Sequence, residues 1–371
     1  MSAVIEKPGM EQKRFDSKKM KELAILVFQK LGYLGRESEI IADVLVTADL
    51  YGVSSHGLQR LNLYVHGLDI GRIKREAKSR IICETAVSAL IDADDGMGQL
   101  SGVESMHIAI EKAKQAGIGF VVTRNNNHFG IAGYYAQMAM AEKLIGICMT
   151  NSEALMVPTY GRRALLGTDP IAIAMPAEPY PFLLDIATAV VPRGKLEVYM
   201  KDKKPIPEGW AVGADGKVTT DPFEVNECFV KKTCGGILPI GGLGELLGGH
   251  KGYGIALAVE LFTGILSQGY TSDMVRKVHS IDRSCATFIA IDYGMFGDKI
   301  EIEKRFSDYL AKLRNSEKAD GATRIYTHGE KEYFNRIECE KRGIYLQAKT
   351  IEEIVFICKR FEIPYEEYIG V

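Results

Sequence analysis

The sequence predicts an α/β protein, a helical N-terminal lobe followed by a mixed sheet with βαβ units. Three observations predict it. From Asp16 to Gly71 the apolar residues repeat only at helical spacing. From Ser88 onward, short β-rich runs alternate with segments of helix length. Two later apolar runs, "PIAIAMP" and "FLLDIAT", lie too close together for a helix between them and read as a hairpin. A chain of 371 residues is also long for one hydrophobic core, so more than one packed lobe is expected.

The first helix is carried by "DSKKMKELAILVFQKLG", where Met20, Leu23, Ala24, Val27, Phe28 and Leu31 keep the spacing of one buried face. Asp16 or Ser17 caps it and Gly32 stops it. A second helix has Ile41, Val44, Leu45 and Ala48 as its stripe, and a third is expected from Ser54 or Ser55 to Gly71. Then "SALIDAD" and "GIGFVVTR" read as strands with a helix between them through Met106, Ile110 and Ala113. A helix over "AGYYAQMAMAEKL" leads to the strand "IGICMTN". This alternation favours βαβ units and a largely parallel sheet, made mixed by the hairpin. After the glycine-rich stretch from Gly235 come a strand at "ATFIAID" and charged helical segments, with residues 301–331 polar and at the surface.

Composition excludes several function classes. Hydrophobic content of 46%, charged content of 25%, a net charge of -2 and a pI near 6.4 give no footprint for nucleic acid or an anionic membrane. No apolar run approaches the ~18 residues of a membrane span. The start, "MSAVIEKPGMEQKRF", lacks the apolar core of a signal peptide, so a cytoplasmic protein is expected. The seven cysteines are scattered without a CxxC, which fits reduced core thiols.

Of the seven histidines (His56, His66, His107, His128, His250, His279 and His328), two lie in unusual company. In "SSHGLQRLNLY", a helix from Ser55 would place His56, Arg60 and Tyr64 on one face. Arginine there can grip a carboxylate with two parallel hydrogen bonds. His128 follows "VVTRNNN" just past a strand end, where α/β proteins hold their ligands. It can exchange a proton near neutral pH, while the three asparagines can order the loop through backbone groups. No second ligand lies at helical spacing from His128 and HExxH is absent, so no metal is expected.

A Rossmann fingerprint would read G-x-G-x-x-G between a strand and a helix. The nearest approach, Gly242-Leu-Gly244-Glu-Leu-Leu-Gly248, has one residue too many and no βαβ unit around it. Beside it, His250, Lys251 and Gly252 open an apolar helix. Free N–H groups, glycines and a lysine at a helix start suit a phosphate. An ordinary glycine turn with an exposed lysine suits the same residues.

Six segments together resemble the type-2 malate/L-lactate dehydrogenases, a family that includes sulfolactate, ureidoglycolate and diketogulonate enzymes. They are "ADLYGVSSHGLQRLNLYVHGLDIGRI", "TRNNNHFGIAGYYAQMA", "LLGTDPIAIAMPA", "LLDIATAVVPRGKL", "KPIPEGWAVGADGKVTTDP" and "GGHKGYGIALAVEL". The resemblance implies an NAD(P)-dependent 2-hydroxyacid dehydrogenase with a non-Rossmann dinucleotide-binding lobe, residues 121–299. It also implies a helical substrate and dimerisation lobe, residues 1–120, with 300–371 packed on it, and a homodimer. It implies His128 as proton donor and acceptor, with Ser55, His56, Arg60 and Tyr64 lining the substrate pocket. Ser152, Asp185, Ile186, Ala187 and Lys251 stand around the dinucleotide, with His250 beside them. The chain departs from the family's pattern at Arg162, at Ala189, in the extra "LGELLGG", and at His328-Gly329-Glu330.

The expected reaction is reduction of a 2-oxo acid. Arg60 pairs with its C1 carboxylate and protonated His128 bonds the C2 carbonyl oxygen. A rival reading makes His56 the acid. Asp185, at the end of "PFLLDIAT", is expected buried beside His128, holding it protonated; the plainer reading is a cap that accepts backbone N–H groups. Malate is the leading substrate, with lactate, sulfolactate and ureidoglycolate as alternatives, and NAD the leading cofactor over NADP. Outside this class, the residues would also suit a lyase or isomerase of small carboxylates, or a nucleotide-binding module without turnover.

Overall fold

The structure, a computed structural model, describes residues 13–276 and 282–370; His279 lies outside them. A short strand β1 (Arg14–Phe15) leads into α1 (Ser17–Lys30), whose cap Asp16 accepts the N–H groups of Lys18 and Lys19 at 2.9 Å. Helix α2 (Gly35–Leu50) packs on α1, and Met20, Leu23, Val27, Ile41 and Leu45 share one buried core. The third helix departs from the expected span. Gly57 adopts an extended backbone, so the chain makes two 3₁₀ turns, Ser54–His56 and Leu58–Arg60, before α3 (Leu61–Asp69) begins. His56 and Arg60 therefore sit on turns, not on the helix that carries Tyr64.

The central layer follows with β2 (Arg80–Glu84), β3 (Ser88–Asp92), α4 (Gly98–Ala116), β4 (Ile118–Asn126), α5 (Ala132–Ala141) and β5 (Ile145–Thr150). The hairpin β6 (Ile171–Met175) and β7 (Phe182–Ile186) pairs as expected, with Ile171 opposite Ile186. A smaller unit comprises α6 (Arg193–Lys201), β8 (Ala211–Val212), β9 (Val218–Thr219), α7 (Pro222–Lys231) and β10 (Gly236–Ile237). It has its own core around Leu196, Ile206, Val225 and Ile237. Helix α8 (Gly249–Glu260) runs on through a π turn, Leu261–Ile265, and precedes β11 (Ser284–Ile291).

The seven-stranded sheet has the order β2-β3-β4-β11-β5-β6-β7. It is mixed, as expected, but not largely parallel: only β3 and β4 run parallel. Strand β11 returns from late in the chain and inserts antiparallel between β4 and β5, with Phe288 opposite both Val121 and Cys148. Such an apolar run, buried on both faces, belongs in the middle of a sheet. Strand β2 has no counterpart in the sequence reading, because all five of its residues are exposed and show no alternation.

The C-terminal segment forms α9 (Lys299–Arg314), α10 (Glu330–Arg342), β12 (Ile344–Tyr345), α11 (Ala348–Arg360) and α12 (Glu366–Ile369). Strand β12 pairs with β1, and Ile354, Ile357 and Ile363 join the core of α1 and α2. The sheet itself draws strands from both sides of residue 120. Among the described residues no helix is long and apolar enough to cross a membrane.

Candidate active site

The strand end at Asn125–His128 is ordered by side-chain hydrogen bonds, although Asn127 Oδ1 stays buried and unpaired. Asn125 takes a left-handed φ of 53°, which asparagine tolerates, and donates to both carboxylate oxygens of Asp92 at 3.0 Å. Asn126 accepts from the Ser101 hydroxyl at 2.7 Å and from the Asn127 N–H. Asn127 donates to the carbonyls of Asp95 and Gly96 at 2.8 and 2.9 Å. The loop is ordered as the asparagine run predicts, and it delivers His128 to the sheet edge. Behind it, a side chain at Gly130 would stand 2.5 Å from Val44, so the loop needs glycine there.

His128 is half-buried and turned by Tyr64, whose hydroxyl lies 2.6 Å from Nδ1; the N–H of Gly130 reaches the same nitrogen at 3.4 Å. With Nδ1 engaged, Nε2 is the nitrogen left to face a substrate. The His56 ring stacks on that of His128, centroids 5.4 Å apart, with its own Nδ1 2.9 Å from the Ser55 hydroxyl. Arg60 donates its Nε to the Ser55 carbonyl at 2.6 Å, which leaves its terminal nitrogens for an anion. The structure thus brings Ser55, His56, Arg60, Tyr64 and His128 to one place, although no single helix face unites them. The turns are held from behind by Asp49, whose carboxylate accepts the Leu58 N–H at 2.8 Å; a side chain at Gly57 would collide with it. Burial pushes the Asp49 carboxyl up to about 8.

The electrostatics of the two histidines run against expectation. Desolvation, then the charges of His56, Arg60 and Arg276, holds His128 well below the ordinary imidazole range. Desolvation and Arg60 bring His56 down to about 4. Asp185 does not correct this. Its carboxylate accepts the N–H of Gly133 at the start of α5, at 2.8 Å, and the charges acting on His128 do not include it. Asp185 thus caps the start of the neighbouring helix, and its expected role in holding His128 protonated gains no hydrogen bond here. It also keeps an exposed face while the surrounding protein pushes its carboxyl up to about 6, against the pull of the Gly133 N–H.

The residues expected around a dinucleotide are linked by backbone. The Ser152 hydroxyl accepts from the Thr168 N–H at 3.1 Å, the Thr168 carbonyl from Thr188 N–H at 2.8 Å, and the Thr188 carbonyl from Ile240 N–H at 2.8 Å. Asp185, Ile186 and Ala187 end β7 just before Thr188, and His250 and Lys251 lie exposed in the first turn of α8. The glycines there serve the chain more than a ligand. Side chains at Gly249 and Gly252 would strike the carbonyls of Gly242 and Ile240 at 2.0 and 2.2 Å. The N–H groups of His250 and Lys251 are already bonded to the carbonyls of Gly244 and Gly248. Attraction for a phosphate therefore rests on Lys251 and the positive end of the helix. A pyridine dinucleotide fits this open, cationic edge. Among the described residues no cluster of three or more His, Cys, Asp or Glu is placed to hold a metal ion.

Two arginines escaped the sequence reading. Arg193 and Arg276 both act on Arg60. Arg193 opens α6, and its neighbour Gly194 lies against Ser55, the Cβ positions 3.8 Å apart. Arg276 is paired with Glu153 at 3.2 Å and with Asp282. The segment "VVPRGKL" offered a faint signal, an arginine just beyond a strand-end acid; nothing in sequence joins Arg276 to Arg60.

A mixed α/β sheet with a histidine at a strand end, an arginine on the adjoining turns and a cationic helix start defines an enzyme site for a small anionic substrate. The chain belongs to the malate/L-lactate dehydrogenase family, whose model matches residues 15–355. It is 47% identical over 337 residues to a malate dehydrogenase of Pyrococcus horikoshii, covering 91% of this chain and 92% of that one. It is 40% identical to an L-sulfolactate dehydrogenase of Methanocaldococcus jannaschii, covering 94% and 97%. Among solved structures, the malate dehydrogenase of Entamoeba histolytica superposes with a TM-score of 0.92 at 36% identity, over 95% of this chain and 99% of that one. The protein is a 2-hydroxy acid dehydrogenase. The lyase, isomerase and non-catalytic readings fall away.

Proposed function

We propose that the protein interconverts malate and oxaloacetate with NAD(H), His128 exchanging the proton and Arg60 holding the C1 carboxylate. The observation that carries this reading is the meeting of Arg60, with its terminal nitrogens unspent, and His128, with Nδ1 tied to Tyr64 and Nε2 left over. Bound nicotinamide supplies or accepts the hydride at C2. Ser55, His56 and Tyr64 orient the pair. Ser152, Asp185, Ile186, Ala187, His250 and Lys251 line the dinucleotide side. Substrate binding places a carboxylate on Arg60 and cancels one of the charges that keep His128 neutral, so the proton needed for reduction is drawn in with the acid. His56 is the alternative acid; its Nδ1 meets the Ser55 hydroxyl much as that of His128 meets Tyr64, and His128 is preferred for its place just past a strand end.

The malate assignment is supported by the Pyrococcus and Entamoeba relatives. A panel of 2-oxo acids with NADH and NADPH, followed at 340 nm and compared by kcat/KM, tests it. Oxaloacetate with NADH is expected to lead, and a clear lead for sulfopyruvate or pyruvate overturns it. A homodimer is supported by the outer face of α8 and the π turn, where Ile255, Leu261 and Ile265 are 42–55% exposed in one continuous run. Light scattering behind size exclusion checks it. A cytoplasmic location is supported by seven unpaired cysteines.

A further inference from the structure

We infer that Arg193 reads the second acidic group of the substrate, at the end opposite the carboxylate held by Arg60, and so sets a preference for dianionic 2-oxo acids. The inference rests on the dehydrogenase reading above. Arg193 stands at the first position of α6, and Gly194 beside it packs on Ser55, whose carbonyl fixes Arg60. The two arginines are therefore anchored on touching backbone segments, and the charge of Arg193 acts on Arg60. A further arginine, Arg276, adds its charge to the same place.

The three differ in how their charge is met. Arg276 has two acids, Glu153 at 3.2 Å and Asp282, so its donors are committed. Arg60 spends Nε on a carbonyl and has no carboxylate in hydrogen bond. Arg193 has one acid, Glu197, whose carboxylate lies 3.5 Å from its buried Nε as an ion pair without hydrogen-bond geometry. Its terminal nitrogens are held by no hydrogen bond among the described residues and can take an arriving anion in paired, charge-assisted contact. The guanidinium stacks 5.8 Å from the centre of the Phe229 ring. Phe229 also lines a cleft with Glu153, Lys232, Ser272 and Val275, the cleft that Arg276 borders through Glu153. Arg193 thus lies between Ser55 on one side and an open cleft on the other. A monocarboxylate leaves the terminal nitrogens of Arg193 without a partner, whereas a carboxylate or sulfonate on the substrate's far carbon engages them.

Arg193→Gln keeps the length and hydrogen-bonding power of the side chain and removes the charge. The selectivity ratio, kcat/KM for oxaloacetate over kcat/KM for pyruvate, is expected to fall at least tenfold. The dissociation constant for NADH, read by fluorescence, should hold, which also reports that the variant is folded. Arg193→Lys should recover part of the ratio, because a cation remains. A parallel loss toward both acids, or a weakened NADH complex with the ratio intact, overturns the inference. Wild-type enzyme inert toward every 2-oxo acid overturns the dehydrogenase reading itself, and the role of Arg193 with it.

Discussion

The two halves of the site are built in opposite ways. The strand end that presents His128 is nearly finished without a ligand: Asn125, Asn126 and Asn127 spend their amides on Asp92, Ser101, Asp95 and Gly96, with Asn127 Oδ1 left unpaired, and Tyr64 fixes the ring. The arginine side is unfinished. Arg193 and Arg276 bring their charges against Arg60, and among the described residues no hydrogen bond holds the terminal nitrogens of Arg60 or Arg193. On the proposed reading, preorganisation is placed where charge develops during the reaction, and unmet charge where the substrate must be captured. Changes on the first side should therefore appear in kcat or in stability, and changes on the second in KM.

The largest effect is expected from His128→Asn, a loss of ~10²–10⁴ in kcat with the NADH dissociation constant unchanged. His56→Asn should cost far less. If the two swap rank, His56 is the acid after all. The pH dependence follows from the direction of the shift. Free His128 is neutral at pH 7 because its proton affinity is held down, so kcat/KM for 2-oxo acid reduction should climb as pH falls through the neutral range.

Arg60→Lys probes the other half. A single ammonium cannot replace the paired donors of a guanidinium, so KM for oxaloacetate should rise on the order of tenfold or more. kcat at saturation should move much less. A drop in kcat with KM intact would place Arg60 on the preorganised side and break the division.

Asn127→Ala tests whether the finished side is structural as well. Its amide donates to two buried carbonyls, and removing it leaves both unpaired, at a cost of about 2 kcal/mol in urea unfolding. Unchanged stability would mean water replaces the amide.

What was legible in sequence divides along the same line. His128 could be singled out because it follows three loop-ordering asparagines just past a strand, and Arg60 and Tyr64 lie within one short motif. The hairpin followed from the missing helix between two apolar runs. The placement of β11 was not legible, because strand order depends on contacts between Phe288 and residues more than a hundred positions away. Gly57 concealed the break in the third helix, since a periodic stripe does not register one extended residue. The roles of Arg193 and Arg276 are tertiary throughout.

The smallest effect, and the one that separates Asp185 from His128, is expected from Asp185→Asn. Asp185 has a folded-state carboxyl raised to about 6 from 3.8, chiefly by desolvation. Between pH ~4 and ~6 the folded state therefore binds more protons than the unfolded chain, and this group's contribution to stability declines as pH rises through that window. The asparagine variant lacks that decline, while its amide oxygen can still accept the Gly133 N–H. Its melting temperature should thus equal or exceed that of the wild type above pH 6, with no change in the pH–rate profile set by His128. An exposed acid kept ionised at a net cost suits a ligand that is itself positive, and the oxidised nicotinamide ring is such a group. The variant should weaken NAD⁺ binding more than NADH binding, by a few-fold, which titration of each form measures directly. Equal weakening of both would leave Asp185 as a helix cap alone, and a shifted pH–rate profile would restore its link to His128.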